Sequence, residues 1–493
     1  MPFATDWKTI CCWLCRRSSG GINCTEGGVN MAALPIAVDN YELLRDAYTG
    51  GGGFEDGRYL FMHNREEPED YLLRRQMARY SNFVKAIICS LTNPIFKKTI
   101  VRDFDENEML KQFVEDVDGN GTTMNAFMKK ATKMARLYGR VFIVVDNFSV
   151  DEQAVNRKDA LERRLFPYLY MVYPEQVTDY ETDRAGRFVS LSYKLTTKRS
   201  KHDLSGVGDK EEWTWTEMAW SCKGEGEGDE TRAGEHGLGI LPIVTLSATD
   251  EDADTPLPVP SMLHIARASR DIYNRDSEKR EILRNQCFPV LIYPATRNAA
   301  AALKQKDEDG KEIGLTLGTS NMLVTDGEAH HLPAFTAPPL EPVQILQQEI
   351  KDIIDDMYRQ AGLSSVVGVE TKASGIAKQW DFEKTTDELA DMAENCEVAE
   401  VKIFSIFARW AGMELRDLKV KYPRTFNITD IEDELNKAAQ MKDLAIGSEV
   451  VEREINRKAA EVYFADVDDR RYDEIMQDIE RTPITDERAK SEE

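Results

Sequence analysis

The spacing of apolar positions in the first half of the chain alternates between helical and strand-like patterns. Apolar residues three or four positions apart predict a short helix after Asp39 and Asn40 and longer helices over 68–92, 106–117 and 125–138. Runs rich in β-branched and aromatic residues predict strands over 95–101, 141–145, 168–173, 188–195 and 212–220. This mixture predicts an α+β body that ends near residue 255.

The second half of the chain is dominated by three predicted helices. After a proline-rich stretch that ends the body, Ser261 can cap a helix that runs to about residue 285. Its segment 274–281 is polar on every side, so we expect it to face water or polar neighbours in an assembly. A second helix over 341–361 carries a regular apolar seam. A third, over 375–410, would be roughly 50 Å long at about 1.5 Å per residue.

A small β module is predicted between the first two of these helices. Short apolar runs at 290–293, 315–317 and 322–324 surround a charged tip at 304–312. Two helices that bracket such a module can run antiparallel and carry it away from the body. A segment of small residues, 363–373, then returns the chain to the body.

The charge of the chain limits how it can handle nucleic acid. The 493 residues include 63 Lys and Arg against 87 Asp and Glu, a net charge of −24. The predicted helical segment 429–493 alone has 20 acidic and 10 basic residues. Tight non-specific binding of duplex DNA needs clustered Lys and Arg residues, so this chain is not expected to bind DNA tightly. No stretch approaches the roughly 18 to 20 apolar residues of a membrane helix, so no membrane partner is expected.

The eight cysteines are unevenly placed. Cys12 and Cys15 have the spacing of zinc ligands, but no second pair and no nearby His completes a site. The later cysteines are expected to be reduced, buried thiols: Cys89, Cys222, Cys287 and Cys396. Residues 26–30, directly before Met31, could be the translation of a ribosome-binding sequence. One hypothesis is therefore that translation starts at Met31 and that the cluster Cys11, Cys12, Cys15 and Cys24 is an annotation artefact.

The motifs of common catalytic sites are missing from the sequence. The six histidines form no HExxH pattern, and no phosphate-binding loop or Gly-x-Ser-x-Gly turn is present. Asp116, Asp118 and Asn120 resemble the start of a calcium loop, but its twelfth position is Phe127 and supplies no oxygen ligand. We therefore expect no enzyme activity, no catalytic or metal site and no cofactor.

The order of the predicted parts, together with several short motifs, resembles the portal protein of tailed bacteriophages. The resemblance rests on the order of these motifs over residues 60–410. The motifs are YLLRRQMARY at 71–80, NPIF at 93–96, VDGNG at 117–121, LYGRVFIVVD at 137–146, YPEQV at 173–177, AGL at 361–363 and SGIA at 374–377.

The resemblance implies a portal-like α+β subunit with named parts. Residues 1–40 would be a flexible N-terminal segment, and 41–255 an α/β wing. The stem would consist of two helices, 256–287 and 341–361, with a β-containing clip at 288–340 between them. A tunnel loop at 362–374 would lead into the long spine helix and its return to the wing, 375–428. The acidic helical end, 429–493, would form a crown.

The family also implies a function, partners and candidate residues. Twelve subunits would form a ring at the unique capsid vertex of the virion, assembled in the host cytoplasm. Double-stranded DNA would pass through its channel, and its partners would be the terminase large subunit, a head–tail adaptor and the major capsid or scaffolding protein. Candidate channel residues are Ser365, Val366, Val367, Val369, Lys372, Arg359 and Lys378. Candidate docking residues of the clip are Lys304, Lys306, Asp307, Glu308, Asp309 and Lys311.

Two alternatives to a portal remain open at the level of sequence. The chain could be an acidic cytosolic scaffold or adaptor that binds proteins and never contacts DNA. It could also be a hydrolase whose site is assembled from Asp and His residues that are distant in sequence.

Overall fold

A computed structural model describes the chain over most of its length, and the structural statements below concern these residues. The described ranges are 38–104, 107–147, 163–197, 209–224, 231–249, 256–287, 290–295, 322–326, 334–336, 339–363, 375–415, 418–424, 426, 449–463 and 469–481. Helices and strands both contribute to the packed core, so the predicted α+β class is confirmed. Among the described residues, no helix has the length and apolar character needed to cross a bilayer.

Three helices open the described chain: α1 (Val38–Thr49), α2 (Pro68–Met77) and α3 (Phe83–Thr92). The prediction of one helix over 68–92 is wrong, because the chain becomes extended at Ala78. Asn82 then accepts a hydrogen bond from the backbone N–H of Lys85 and caps a new helix. The apolar faces of α1 and α3 share one core cluster with later helices.

The centre of the body is a three-stranded antiparallel sheet with two helices beside it. The helices are α4 (Glu108–Glu115) and α5 (Met124–Tyr138). The strands, in spatial order, are β3 (Tyr168–Val172), β2 (Arg140–Asp146) and β9 (Ile243–Ser247). All of β2 is buried, as its continuous apolar run predicts.

The predicted strand over 95–101 is wrong for most of its length. Residues 93–98 form turns, and strand β1 covers only Val101–Asp103, where it pairs with β13 (Lys419–Lys421). Ile95 is completely buried in the core. Its apolar character therefore reflects a turn that packs inward and not a pleated strand.

A five-stranded antiparallel meander follows β3. Its strands are β4 (Val177–Thr182), β5 (Phe188–Thr197), β6 (Asp209–Thr216), β7 (Ala219–Gly224) and β8 (Arg232–Glu235). The single strand predicted over 212–220 is two strands, because the chain turns at residues 217–218. In this turn the hydroxyl of Thr216 accepts a hydrogen bond from the backbone N–H of Ala219.

The remaining elements follow the predicted order. They are α6 (Met262–Gln286), β10 (Val290–Ala295), β11 (Met322–Asp326), β12 (Ala334–Thr336), α7 (Glu341–Gln360), α8 (Gly375–Trp410), α9 (Glu449–Tyr463) and α10 (Asp469–Arg481). Strand β10 lies between β11, which is parallel to it, and β12, which is antiparallel. The strand predicted at 315–317 lies outside the described residues. Ser261 makes no side-chain cap of α6, contrary to expectation.

The cysteines that the structure describes are free, but they are not all buried as expected. Cys222 and Cys396 are buried, Cys89 is partly buried and Cys287 is exposed. Cys287 directly follows α6, where the chain leaves the helix toward β10. The cluster of four cysteines before residue 25 and Met31 lie outside the described residues.

Candidate functional site

The helices α6 and α7 pack against each other and run antiparallel. The guanidinium of Arg275 donates to a carboxylate oxygen of Glu349 at 2.7 Å, and His264 and Asp271 share a groove with Ile353 and Gln360. Residue numbers therefore increase along α6 in the direction in which they decrease along α7. The buried seam of α7 predicted from its spacing includes Met357, which is only 1% exposed.

The small sheet β10–β12 is inserted between the two paired helices. Only three residues separate Gln286 from Val290, and only four separate Thr336 from Glu341. The other ends of the pair, at Met262 and Met357, lie in the core cluster of the body. Because both connections to the sheet are short, the sheet belongs to the end of the pair that is remote from this core.

The polar stretch of α6 packs against the chain's own body, which sequence analysis did not anticipate. Asn274 accepts a hydrogen bond from the backbone N–H of Phe61 at 2.8 Å and donates to the carbonyl of Tyr59 at 2.9 Å. Ser277, which is 2% exposed, accepts a hydrogen bond from Arg74 at 2.9 Å. The expectation that residues 274–281 face only water or neighbouring subunits is therefore wrong for these two side chains.

Arg74 organises this contact between α2 and α6. Its guanidinium makes two hydrogen bonds of 2.7 Å to the carboxylate of Glu66 and one of 2.6 Å to the carbonyl of Phe61. The hydrogen bond from Arg74 holds the pKa of Glu66 below its ordinary value. The two hydrogen bonds between these buried side chains restrict their relative orientation more strictly than a single contact at the surface would. It holds the guanidinium of Arg74 in place to donate to Ser277 of α6.

The start of the connection between α7 and α8 is hydrogen-bonded to α8 itself. Gly362 has a φ of +67°, which ends α7, and its carbonyl accepts a hydrogen bond from the hydroxyl of Thr385. Leu363, which is 2% exposed, donates from its backbone to the carbonyl of Tyr358 at 2.8 Å. The chain leaves this point after Leu363 and has returned to it by Thr385, ten residues into α8.

The long helix α8 is fixed in the body by apolar packing and by one buried ion pair. Phe404 and Phe407 are completely buried among α4 and β2 side chains. On the same face Glu400 is fully buried and binds the guanidinium of Arg102, with a second contact of 3.0 Å. The hydroxyl of Tyr422 donates to the same carboxylate at 2.7 Å. Burial, with Glu400 beside it, raises the pKa of Tyr422 well above its ordinary value.

Of the candidate channel residues, Arg359 is the one whose side chain the structure describes. It is exposed and pairs with Asp356 at 2.8 Å. Lys378 lies in α8, where only the backbone is described. The other candidates lie outside the described residues: Ser365, Val366, Val367, Val369 and Lys372 of the loop, and Lys304, Lys306, Asp307, Glu308, Asp309 and Lys311 of the β module.

The segment that resembles a calcium loop is a closed turn. Asp118 accepts hydrogen bonds from the backbone N–H of Asn120 at 3.0 Å and from the hydroxyl of Thr122 at 2.8 Å. Asp116 accepts from the backbone N–H of Gly121 at 2.9 Å and pairs with Arg164. The carboxylates thus stabilise the turn between α4 and α5. Within the described ranges, no group of three or more His, Cys, Asp or Glu is arranged to hold a metal ion.

Comparison with known proteins adds only distant structural likenesses. No family model matches the chain, and no curated protein matches it. Among solved structures, a chain from "Virion of native gene transfer agent (GTA) particle" matches with a TM-score of 0.41 and 11% sequence identity, covering 83% of this chain and 90% of that chain. These values are too low to show a shared fold, and we infer nothing from them.

Proposed function

We propose that this chain is the subunit of a bacteriophage portal, a ring of twelve copies at the unique vertex of the capsid. In this role the ring nucleates capsid assembly, gives DNA a channel for packaging and ejection, and offers a docking surface to the terminase and to head–tail adaptors. The proposal includes no catalytic activity and no cofactor.

One observation carries this proposal: the antiparallel pair of α6 and α7 with a small sheet inserted between them. The pair is rooted in an α/β body and continues into the 36-residue helix α8. In the proposed ring, α6 and α7 form the stem, the β10–β12 sheet belongs to the clip, and residues 362–374 form the tunnel loop. The order and bounds of these elements support the resemblance found in the sequence.

The rigid root of the proposed tunnel loop supports its assignment. Gly362 and Leu363 fix the first end of the connection on the body, and the hydrogen bond from Thr385 holds α8 to the same point ten residues after that helix begins. A loop between two anchored helices can change its path without unfolding them. This arrangement suits a loop that contacts DNA as it moves through a channel.

The charge of the chain supports a passage and argues against a tight DNA-binding surface. At −24 per subunit, the ring repels phosphates on average. The described candidate cation, Arg359, has a carboxylate partner within 2.8 Å. A duplex that passes such a lining releases few counterions and gains little binding energy, so it can slide along the channel.

Electron microscopy of the purified full chain tests the proposal. We expect negatively stained particles to show rings with a central opening wide enough for a DNA duplex. A monomer or a compact closed dimer under these conditions would contradict the portal assignment. It would favour the acidic adaptor that never contacts DNA.

A further inference from the structure

The turn between α4 and α5 contains a chemically reactive pair that the proposed function does not use. Asn120 is the only asparagine in the chain that is followed by glycine. In such a pair the backbone nitrogen of the glycine can attack the side-chain amide of the asparagine, because glycine has no Cβ to obstruct the approach. The pair Asn120–Gly121 is therefore a candidate site of spontaneous deamidation.

Deamidation needs no reactant other than water. The backbone nitrogen of Gly121 loses its proton and forms a bond to Cγ of Asn120, while Nδ2 takes up a proton and leaves as ammonia. The resulting five-membered succinimide ring takes up one water molecule and opens to aspartate or to isoaspartate. Isoaspartate adds one carbon to the backbone, and both products add a negative charge beside Asp116 and Asp118.

The surroundings of the pair leave room for this reaction. Asn120 and Gly121 are both exposed, so water can reach the turn. Gly121 has a φ of +83°, and a Cβ built on it would meet no atom within 4 Å. Crowding therefore does not block the reaction, and its rate depends on how the two reacting groups are held.

Hydrogen bonds direct the two reacting groups to different partners. The backbone N–H of Gly121, which must lose its proton, donates to the carboxylate of Asp116 at 2.9 Å. Nδ2 of Asn120 donates to the carbonyl of Asp118 at 3.2 Å, and the backbone N–H of Asn120 donates to the carboxylate of Asp118 at 3.0 Å. The side chain of Asn120 is thus held toward residue 118, while the nitrogen of Gly121 keeps its proton on Asp116.

Asp116 is itself fixed in place. It is 8% exposed, and its second carboxylate oxygen pairs with Arg164 at 2.9 Å. Across the turn the backbone N–H of Val117 donates to the carbonyl of Thr122 at 2.9 Å. A hydrogen bond to an ionised acceptor is stronger than one between neutral groups. The bond from Gly121 to Asp116 is therefore the one whose loss should matter most for the reaction.

We propose that Asn120 is a deamidation site and that Asp116 protects it by holding the amide of Gly121. Deamidation of the folded chain then requires a local opening of the turn in which this hydrogen bond is lost. Its rate is the rate in the open turn multiplied by the fraction of time that the turn is open. This role gives Asp116 and Asp118 a purpose in a segment that resembles a calcium loop but lacks its later ligands.

The test measures deamidation of the purified full chain in mildly alkaline buffer, by peptide mass spectrometry and by an isoaspartate-specific methyltransferase. Asp116→Ala removes the acceptor and should accelerate the reaction at Asn120 roughly tenfold to a hundredfold, the factor that corresponds to one hydrogen bond to a charged group. Asp116→Asn keeps an acceptor oxygen and should deamidate more slowly than Asp116→Ala. Asn64, which is exposed but followed by Arg65, is the internal control and should stay unchanged in every variant.

A second control separates local protection from overall stability. Glu400→Gln weakens the body at a place remote from the turn, and circular dichroism establishes that each variant is folded. If Glu400→Gln accelerates deamidation as much as Asp116→Ala does, overall stability controls the site and the protective role of Asp116 is wrong. Equal rates for wild type and Asp116→Ala would overturn that role too, as would a wild-type rate equal to that of the chain unfolded in urea.

A further variant covers the case in which Asp116→Ala does not fold. Arg164→Ala leaves the carboxylate of Asp116 in place but removes its other partner, so it should accelerate deamidation over wild type. No acceleration in this variant would contradict the proposed protection. These outcomes do not depend on ring formation, so they leave the portal assignment to its own test.

Discussion

Glu400→Gln should destabilise the body strongly, because Glu400 neutralises a buried cation. Glu400 is completely buried and accepts hydrogen bonds from Arg102 and from Tyr422, which join α8 to β1 and β13. The glutamine keeps the volume of the side chain but leaves Arg102, whose side chain is 8% exposed, without a counter-charge. Removing one partner of a buried pair costs about 3–5 kcal/mol.

Urea denaturation followed by circular dichroism measures this effect. With a slope of about 3 kcal/mol per molar urea, the midpoint should fall by roughly 1 M or more. The matched control is Glu394→Gln on the same helix, since Glu394 is 62% exposed and pairs with Arg424 at the surface. That change should cost less than about 1 kcal/mol. Replacing both partners, with Arg102→Met and Glu400→Leu together, should recover most of the loss. Equal midpoints for Glu400→Gln and Glu394→Gln would refute the reasoning.

Three further predictions follow from other parts of the structure. Burial raises the pKa of Asp146 to about 6, so above that pH the charged carboxylate destabilises the fold. Asp146→Asn removes this charge and should therefore raise the free energy of unfolding by about 1–2 kcal/mol near pH 8. This gain should shrink as the pH falls below 6 and vanish below about pH 3, where the carboxyl is protonated in both states, and a gain independent of pH would contradict the assignment. Gly52→Ala should lower the free energy of unfolding by more than about 2 kcal/mol, because the new Cβ would lie 2.4 Å from the carboxylate of Asp46. The control is Gly119→Ala, which is also at positive φ but has open space around it and should lower the free energy of unfolding by about 1 kcal/mol. Deleting residues 364–371 should leave ring formation intact, because the contacts of Leu363 and Thr385 remain, but should impair DNA packaging in a phage complementation assay; loss of the ring would refute the loop assignment.

The sequence predicts helices best where a long apolar periodicity ends at a residue that favours a helix boundary. The predicted bounds of α6, α7 and α8 agree with the structure to within about a residue. Gly362 ends α7, and the apolar seam of α7 lies against α6 and the body as its spacing predicts. The buried strand β2 was equally clear from its unbroken apolar run.

The errors arose where tertiary contacts override local pattern. The helix predicted over 68–92 breaks because Asn82 caps a second helix, which the apolar spacing alone does not show. Asn274 and Ser277 look like solvent-facing residues, but residues 59–77 fold back onto them from about 200 positions away in the sequence. No local spacing signals such a contact.

One buried charge could have been found in the sequence. Glu400 lies on the helical stripe formed by Cys396, Ile403, Phe404 and Phe407, and a charge within an apolar stripe indicates a buried partner. Its partners are Arg102 of β1 and Tyr422, which directly follows β13, and no spacing rule connects these two segments. The portal residues proposed for the loop and the clip tip rest on the family resemblance alone.

The mass of the purified full chain in solution tests the central claim most directly. Multi-angle light scattering after size-exclusion chromatography should give 12 × 56.0 = 672 kDa for a ring of twelve subunits. A mass of 56.0 kDa that does not change with protein concentration or salt would contradict the portal assignment.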